Sequence, residues 1–127
     1  KLPGKKVRDA LSARNCVSLG KSIGRLVGRL HLMGIVHGDL TTSNMMLGKE
    51  LAFLDFGLSF YSKKIEDFAV DLHLLKETMH GTHPSIADKT YAAVVSGYKT
   101  TFKGWKSVLE RLEQVEARGR NKNAMGS

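Results

Sequence analysis

The fold of this chain is decided by the sequence IVHGDLTTSN at residues 35–44 and by LDFG at residues 54–57. Between them lie two short apolar runs, residues 45–47 and 51–54, joined by Gly48, Lys49 and Glu50. Two such runs around a three-residue connection that contains glycine predict a β-hairpin. Asn44 directly precedes the first strand and Asp55 follows the second, so antiparallel pairing is expected to bring these two residues side by side.

Three polar side chains are predicted to meet at one end of this hairpin. Asp39 lies on the loop that enters the same end as Asn44 and Asp55. Mg²⁺ prefers oxygen ligands of the kind that Asn44 and Asp55 carry, together with the phosphates of a substrate, and the Asp39 carboxylate is free to act as a base. The same residues also suit a structural role, in which Asp39 and Asn44 cap a loop and Asp55 ends a strand.

Length and composition fit one domain without disulfides. The chain has 127 residues and a single cysteine, Cys16, so no internal disulfide can form and we expect a reducing compartment, the cytosol or the nucleus. It has no apolar run long enough to cross a bilayer. Its first residues are basic and polar, which does not fit a secretory signal, so we expect no membrane partner.

The net charge of +8 is unevenly spread along the chain. Residues 1–31 contain eight lysines and arginines against one acid, Asp9, whereas the remainder holds twelve basic and eleven acidic residues. A basic segment attracts phosphate backbones or anionic partners, and it is equally consistent with a solvated helix surface. Lys21, Arg25 and Arg29 fall on one exposed helix face and fit either interpretation.

Apolar residues at three- and four-residue steps predict four helices, one before the hairpin and three after it. The first is expected to end before Gly34, which suits a left-handed cap. The predicted buried stripes are Leu19, Ile23, Leu26, Val27 and Leu30; Val70 and Leu74 with Ala69, Leu75 and Met79; Ile86, Tyr91, Val94, Val95 and Tyr98; and Trp105, Val108, Leu109, Leu112 and Val115. Residues 1–14 show no clean period. The fold class is therefore α+β and mostly helical.

Several residues are predicted to support the site rather than to react. The pair Ile35-Val36 is too short for an independent strand and is expected to extend the hairpin. His37 packs under the loop and hydrogen-bonds the backbone, while Gly38 provides unusual φ and ψ freedom directly before Asp39. Asp71 is a lone acid in an apolar helix, and its buried carboxylate needs donors that the backbone N–H groups of the loop can supply.

The remaining polar motifs are given structural roles, with one exception. His31 is expected near the end of the first helix as a structural residue, and HGTHP at residues 80–84 as a polar turn that breaks the second helix rather than a metal site. The exception is the basic tail, which has no neighbouring acid and is predicted to bind RNA phosphates. Its basic residues are Arg118, Arg120 and Lys122.

The spacing H-x-D-x-x-x-x-N followed by D-F-G is a signature of protein kinases. Within that class, HGDLTTSN at residues 37–44 and DFGLSF at residues 55–60 closely resemble the small atypical kinases of the KEOPS (EKC) complex, the PRPK or Bud-type family. The likeness continues through residues 70–72, 82–84 and 115–120 and covers nearly the whole chain from about residue 18. It implies the C-terminal lobe of a protein-kinase-like fold, with the hairpin carrying the catalytic loop and the D-F-G.

This resemblance implies an ATP-dependent serine/threonine kinase or ATPase that supports threonylcarbamoylation of tRNA, bound to the transferase subunit of the KEOPS complex. Carried over by position, Asp39 would be the catalytic base or water-orienting carboxylate, and Asn44 and Asp55 would hold Mg²⁺. Met46 would lie under the adenine ring, so that Asn44, Met46 and Asp55 bind the nucleotide and ATP and Mg²⁺ are the expected cofactors. The residues expected to support the site are His37, Gly38, Phe56, Gly57 and Asp71.

Three departures from ordinary protein kinases modify this expectation. Thr41 stands where those enzymes carry a lysine two residues after the base. Only fifteen residues separate Asp55 from Asp71 and no A-P-E follows the D-F-G, so a platform for a peptide substrate is absent or very short, which favours ATP hydrolysis or self-phosphorylation. No Gly-rich phosphate loop and no V-A-I-K lysine precede His37.

We therefore expect residues 1–122 to form a kinase-like C-terminal lobe whose N-terminal lobe is absent from this chain. The basic tail covers residues 118–122, and residues 123–127 are expected to be a disordered end or the remnant of an expression tag. Alone, such a lobe is expected to bind nucleotide weakly and to turn over negligibly.

Two other functions remain open at this point. Small-molecule phosphotransferases of the aminoglycoside or choline kinase type also use H-G-D with an asparagine five residues after the aspartate, although they usually have further acidic substrate residues and a larger helical region. The second alternative is a non-catalytic module that docks a partner and steers RNA through the basic start and tail of the chain.

Overall fold

The computed structural model describes residues 4–126, with side chains up to residue 119. The fold is α+β and mostly helical, as predicted. The helices are α1 (Val7–Ala10), α2 (Cys16–Leu32), α3 (Ile65–Thr82), α4 (Ala87–Thr101) and α5 (Trp105–Gly126). The strands are β1 (Lys5–Lys6), β2 (Ile35–Val36), β3 (Met45–Leu47), β4 (Leu51–Phe53) and β5 (Phe60–Tyr61), and a single 3₁₀ turn at Thr42–Asn44 leads into β3. None of the helices in residues 4–126 has the length and hydropathy that crossing a bilayer requires.

The predicted hairpin is confirmed with its register. Met45 pairs with Phe53 and Leu47 with Leu51, so the turn contains Gly48, Lys49 and Glu50 as expected. Because the two strands are antiparallel, the residues before β3 and after β4 lie at the same end of the hairpin. This end is where the candidate site is found.

The prediction that Ile35-Val36 extends the hairpin is wrong. Those two residues form β2, which pairs with β5 in a separate two-stranded sheet, and the Ser62 N–H donates to the Gly34 carbonyl at 2.8 Å just beyond this pairing. The third strand of the hairpin sheet is instead β1, which pairs with β3. The basic, aperiodic sequence around Lys5 and Lys6 has no strand pattern of its own. Its extended conformation comes from the pairing with β3.

Helices α2 and α4 approach each other closely because glycines occupy the facing positions of α2. A Cβ atom at Gly24 would collide with the carbonyl oxygen of Val94, and one at Gly28 with the Thr101 hydroxyl. The Thr101 hydroxyl donates a hydrogen bond to the Arg25 carbonyl at 2.9 Å. The first predicted helix is confirmed, and Gly34 after its end has the expected left-handed φ of +74°.

The hydrophobic core collects residues from each of the five helices and from the hairpin. The predicted stripes of α2, α4 and α5 contribute core residues that include Ile23, Val27, Val94, Tyr98, Val108 and Leu112. Leu26 of the α2 stripe is only half-buried and lies outside the core, so its assignment is wrong. The stripe of α3 is rotated from the predicted one. Val70 is 46% exposed and Leu74 is half-buried outside the core, so the assignment of these two residues is wrong. Ala69, Leu75 and Met79 are buried as predicted, together with Phe68 and Leu72. The rotation follows from Asp71, whose carboxylate has to face the loop that carries its donors.

Helix α3 ends at Thr82, inside the segment 80–84 where the break was predicted, although residues 80–82 still belong to the helix. When protonated, the His80 ring donates to the Lys76 carbonyl at 2.9 Å and to the Asp88 carboxylate at 2.7 Å. These two bonds, that to Lys76 first, raise the pKa of His80 above its ordinary 6.5. The His83 ring contacts the Thr42 hydroxyl at 2.9 Å, and burial lowers the pKa of His83.

Candidate active site

The loop that carries Asp39 is anchored from below by Asp71 of α3. The Asp71 side chain is buried, and its Oδ1 accepts a hydrogen bond from the Gly38 N–H at 3.0 Å. Its Oδ2 accepts from the His37 N–H at 3.0 Å and contacts the His31 ring at 2.8 Å. The predicted structural role of Asp71, with loop N–H groups as donors, is confirmed.

His31 is part of this anchor, which the sequence did not reveal. Its Nε2 faces Asp71, and its Nδ1 lies 2.7 Å from the hydroxyl of Tyr98 on α4. Burial, and then the Asp71 carboxylate, raise the pKa of Tyr98, so the hydroxyl stays protonated within hydrogen-bond distance of Nδ1. His31 follows Val27 by four residues and so continues the buried stripe of α2. This spacing could have indicated that the His31 side chain is buried.

His37 fixes the shape of the loop, as predicted. The ring is fully buried; Nδ1 lies 3.1 Å from the Asp39 N–H and accepts from it. Nε2 must therefore carry the proton, and it donates to the Leu54 carbonyl at 2.8 Å. The Phe56 ring packs against His37 with 4.7 Å between ring centroids. One imidazole thus ties the loop before β3 to the end of β4.

Gly38 meets a requirement that only glycine satisfies at this position. Its φ is +87°, a region that other residues adopt at a cost. A Cβ atom at Gly38 would also collide with the carbonyl oxygen of Leu58. The backbone freedom predicted for Gly38 is confirmed, and the loop and the chain after the D-F-G are in contact here.

Asp39 and Asn44 form a hydrogen-bonded pair at the end of the hairpin. The Asn44 Nδ2 group donates to the Asp39 carbonyl and to its Oδ2, both at 2.9 Å. Because both facing atoms are acceptors, the amide nitrogen must face them and Oδ1 must point elsewhere. Within the described residues no hydrogen bond reaches Asn44 Oδ1 or Asp39 Oδ1, so each has an oxygen left for a ligand.

Asp55 follows β4 at the same end of the hairpin. The N–H of the preceding Leu54 donates to the Asn44 carbonyl at 2.7 Å, which brings the two segments together as predicted. Asp55 is the only residue other than glycine with a positive φ in the described part of the chain, at +52°. Its side chain is exposed, and Oδ1 accepts a bond from the Gly57 N–H at 3.3 Å. Backbone strain of this kind is concentrated at functional sites.

The remaining residue predicted to bind nucleotide, Met46, lies on the face of β3 opposite to the core. Met45 is fully buried and Met46 half-buried, as expected for neighbouring residues on a strand. The part of Met46 that is accessible can therefore contact a ligand that rests on the hairpin sheet.

The oxygens at this site suit a hard divalent cation. Asn44 and Asp55 offer an amide and a carboxylate, and both nitrogens of the nearby His37 are already engaged. Residues 4–119 contain no cluster of three or more His, Cys, Asp or Glu side chains that could hold a metal on its own. A cation here would need further ligands, and substrate phosphates usually supply them to Mg²⁺.

The expectation that no acid neutralises the basic tail is wrong for Arg118. Its guanidinium donates to Glu66 of α3 at 2.8 Å, and Arg111 lies 3.7 Å from the same carboxylate. The side chains of Arg120 and Lys122 lie outside the described residues. The tail therefore offers one fewer unpaired cation for RNA phosphates than we expected.

Comparison with known proteins identifies relatives over most of the chain. It is 43% identical over 112 residues to the EKC/KEOPS complex subunit bud32 of Dictyostelium discoideum, a match that covers 86% of this chain and 44% of that protein. It is 42% identical over 131 aligned positions to the subunit BUD32 of Chaetomium globosum, covering 87% and 49% of the two chains.

A third relative is a probable bifunctional tRNA threonylcarbamoyladenosine biosynthesis protein of Methanosarcina acetivorans, 46% identical over 103 residues, which are 80% of this chain and 19% of that protein. No protein-family model matches the chain. The chain spans about half the length of the EKC/KEOPS relatives above. These similarities confirm the resemblance found in the sequence: over most of its length, the chain is similar to the Bud32-type proteins of the EKC/KEOPS complex.

Proposed function

We propose that this chain supplies the catalytic-loop half of an Mg²⁺- and ATP-dependent phosphotransferase or ATPase. The observation that carries the proposal is the Asp39–Asn44 hydrogen bond at 2.9 Å, which leaves one oxygen of each side chain free at the end of the hairpin where Asp55 follows β4. The relatives named as EKC/KEOPS complex subunits and as a tRNA threonylcarbamoyladenosine biosynthesis protein support a role in that modification of tRNA. The KEOPS transferase subunit is the proposed partner, and the cytosol or the nucleus the proposed location.

The proposed roles follow from the hydrogen bonds of the loop. Asp39 orients the attacking water or hydroxyl with its free oxygen and accepts the proton, assistance that is worth about 10²–10⁴ in rate. Asn44 holds the Asp39 carboxylate with its amide nitrogen, and its Oδ1 would be available to hold the cation. Asp55 would supply the charged ligand, and Met46 would contact the adenine. Bound Mg²⁺ would neutralise charge on the phosphates of ATP.

The buried anchor under the loop supports this chemistry by keeping Asp39 in place before the substrate arrives. Phosphoryl transfer depends mainly on positioning and charge stabilisation, and groups that are held in advance need no reorganisation during the reaction. Asp71, His31 and His37 hold the loop through bonds of 2.8–3.1 Å. We assign these three residues to positioning and not to contact with the substrate.

Hydrolysis or self-phosphorylation is favoured over phosphorylation of other proteins. Thr41 replaces the lysine that ordinary protein kinases carry near the leaving phosphate, and only a short segment joins the D-F-G to α3. The relatives favour ATP hydrolysis or self-phosphorylation over the activity of a small-molecule phosphotransferase. Measuring turnover of a panel of sugars and amino alcohols would test that alternative directly.

The test is ATP turnover by the Dictyostelium relative in which this chain replaces the matching segment. Asp39→Asn should lower kcat by about 10²–10⁴ with little change in the KM for ATP. Asp55→Asn should raise the Mg²⁺ concentration needed for half-maximal turnover. Asp67→Asn removes a carboxylate from α3 outside the site and is the matched control. Turnover that is equal in all three variants would overturn the assignment.

A further inference from the structure

A second concave surface lies between α2 and the β3–β4 hairpin. Its volume is about 490 Å³, and Leu19, Ser22 and Leu26 of α2 face Leu47 and Leu51 of the hairpin across it. It lies beside the hairpin turn, whereas Asp39 and Asn44 lie at the other end of the two strands. The surface is therefore separate from the candidate active site.

The rim of this groove is positively charged. Arg25, Arg29 and Lys49 line it, and Glu50 is the one acid in the lining. All three cations are exposed, and within residues 4–119 none of them has a carboxylate within ion-pair distance. The Arg25 guanidinium makes a hydrogen bond to the Ser22 hydroxyl at 3.2 Å. Three unneutralised cations around one groove favour an anionic ligand.

The spacing of the cations favours a repeated anion. Arg25 and Arg29 on the rim are four residues apart, which is about 6 Å along a helix, and Lys21 lies one such step before them on the same exposed face, outside the groove. Helix α2 is fixed by its glycine contacts with α4, so the backbone positions of these cations are set before a ligand binds. A row of evenly spaced cations is complementary to a run of backbone phosphates, for which counterion release supplies the affinity.

The lining also indicates which nucleic acid fits. None of the groove residues is aromatic, so unstacked bases of a single strand would find no ring to stack on. Double-helical RNA is instead recognised by shape and through its phosphates and 2′-hydroxyls. We propose that this groove binds the phosphate backbone of an RNA duplex without sequence preference. That the duplex belongs to tRNA rests on the proposed function, whereas the binding does not.

The experiment is a titration of the full chain with a labelled RNA duplex over a series of salt concentrations. The groove variant Arg25→Gln, Arg29→Gln, Lys49→Gln should lose affinity on the order of tenfold or more at low salt. The slope of log K against log salt should shrink by about three units, one for each phosphate contact. The control variant Lys63→Gln, Lys64→Gln, Lys106→Gln loses the same charge from exposed positions outside the groove and should keep the slope.

Four outcomes would overturn the inference. Equal losses in the two variants would show attraction by net charge alone, and an unchanged groove variant would show that RNA binds elsewhere or not at all. A slope change confined to Arg118→Gln, Arg120→Gln, Lys122→Gln would assign RNA to the tail. Tighter binding of polyglutamate than of the duplex would assign the groove to an acidic protein segment. None of these results bears on ATP turnover, because Arg25, Arg29 and Lys49 do not contact Asp39, Asn44 or Asp55.

Discussion

The two segments that border the candidate active site are held in opposite ways. The loop at residues 37–44 is fastened by buried groups: His37 is fully buried, and Asp71 bonds the N–H groups of His37 and Gly38. The segment after β4 shows its apolar side chains to solvent. Their exposed fractions are 43% for Phe56, 65% for Leu58, 47% for Phe60 and 84% for Tyr61.

Because of this difference, we expect the two segments to have different roles. The loop carries the groups proposed to react, and it has few ways to move without leaving buried donors or acceptors unpaired. The exposed segment has little packing to lose, and such regions open at low cost in free energy. We expect the stability of the fold to depend on the loop and to be nearly independent of the segment.

The largest effect is expected from the anchor of the loop. Asp71→Ala leaves two backbone N–H groups and His31 without their buried partner, and should lower the free energy of unfolding by about 3–5 kcal/mol. Asp67→Ala, the control on the same helix, removes only the acceptor of the Ser62 hydroxyl and should cost about 1 kcal/mol. Urea denaturation followed by circular dichroism measures both. Similar losses would mean that the loop is not anchored through Asp71.

The next comparison uses one leucine from each segment. Leu40 in the loop is 1% exposed and Leu58 is 65% exposed. Leu40→Ala should therefore cost about 2–5 kcal/mol through lost burial and the cavity left behind, whereas Leu58→Ala should stay within about 0.5 kcal/mol. The same denaturation measurement decides this. A large cost at Leu58 would show that the segment is packed in solution.

Glycines provide a third comparison between the segments. Gly38→Ala places a Cβ in left-handed backbone against the Leu58 carbonyl and should cost about 2 kcal/mol. The added Cβ of Gly57→Ala would lie 3.2 Å from Asp55 Oδ1, and Gly57 does not have a positive φ, so a cost below about 1 kcal/mol is expected. If both variants unfold at the same denaturant concentration, the contact between loop and segment is not a constraint.

The smallest expected effect is a change in how stability depends on pH when His83, which contacts Thr42 of the loop, is replaced. Burial holds the pKa of His83 below its ordinary value of 6.5, so the unfolded chain takes up the proton first and stability is lost as the pH falls through that value. His83→Gln should remove this loss. His80, whose pKa is raised, has the opposite sign: its contribution is present below pH 6.5 and lost as the pH rises through the folded pKa.

Unfolding free energies of the two glutamine variants, measured between pH about 5 and 8 where histidine titrates, test the two signs. His83→Gln should flatten the acid side of the stability profile, and His80→Gln should lower stability mainly on that side. Parallel profiles for the wild type and both variants would contradict these assignments.

Local sequence signals were sufficient where a residue and its neighbours along the chain determine the conformation. The hairpin with its glycine turn, the cap at Gly34 and the φ of Gly38 were predictable for this reason. The buried acceptor role of Asp71 was predictable as well, because an isolated carboxylate in an apolar helix has to find donors.

The features that could not be predicted depend on contacts between residues distant in the sequence. Ile35-Val36 pairs with residues 60–61 and not with the hairpin. Neither of these two-residue strands has a sequence pattern from which its partner could be predicted. His31 reaches Asp71 forty residues away, and Arg118 reaches Glu66 at a distance of fifty-two. The left-handed φ of Asp55 arises from the tertiary structure around it, since an aspartate after an apolar run usually ends a strand without strain.

The glycine face of α2 limits how the length of this helix can change. Inserting one residue in its middle would turn everything beyond the insertion by about 100° about the helix axis. Side chains would then replace Gly24 and Gly28 against α4, while Arg25 and Arg29 would leave the groove and His31 would leave Asp71. We therefore expect insertions and deletions to be tolerated at the hairpin turn and before Cys16, and to be excluded between Gly20 and His31.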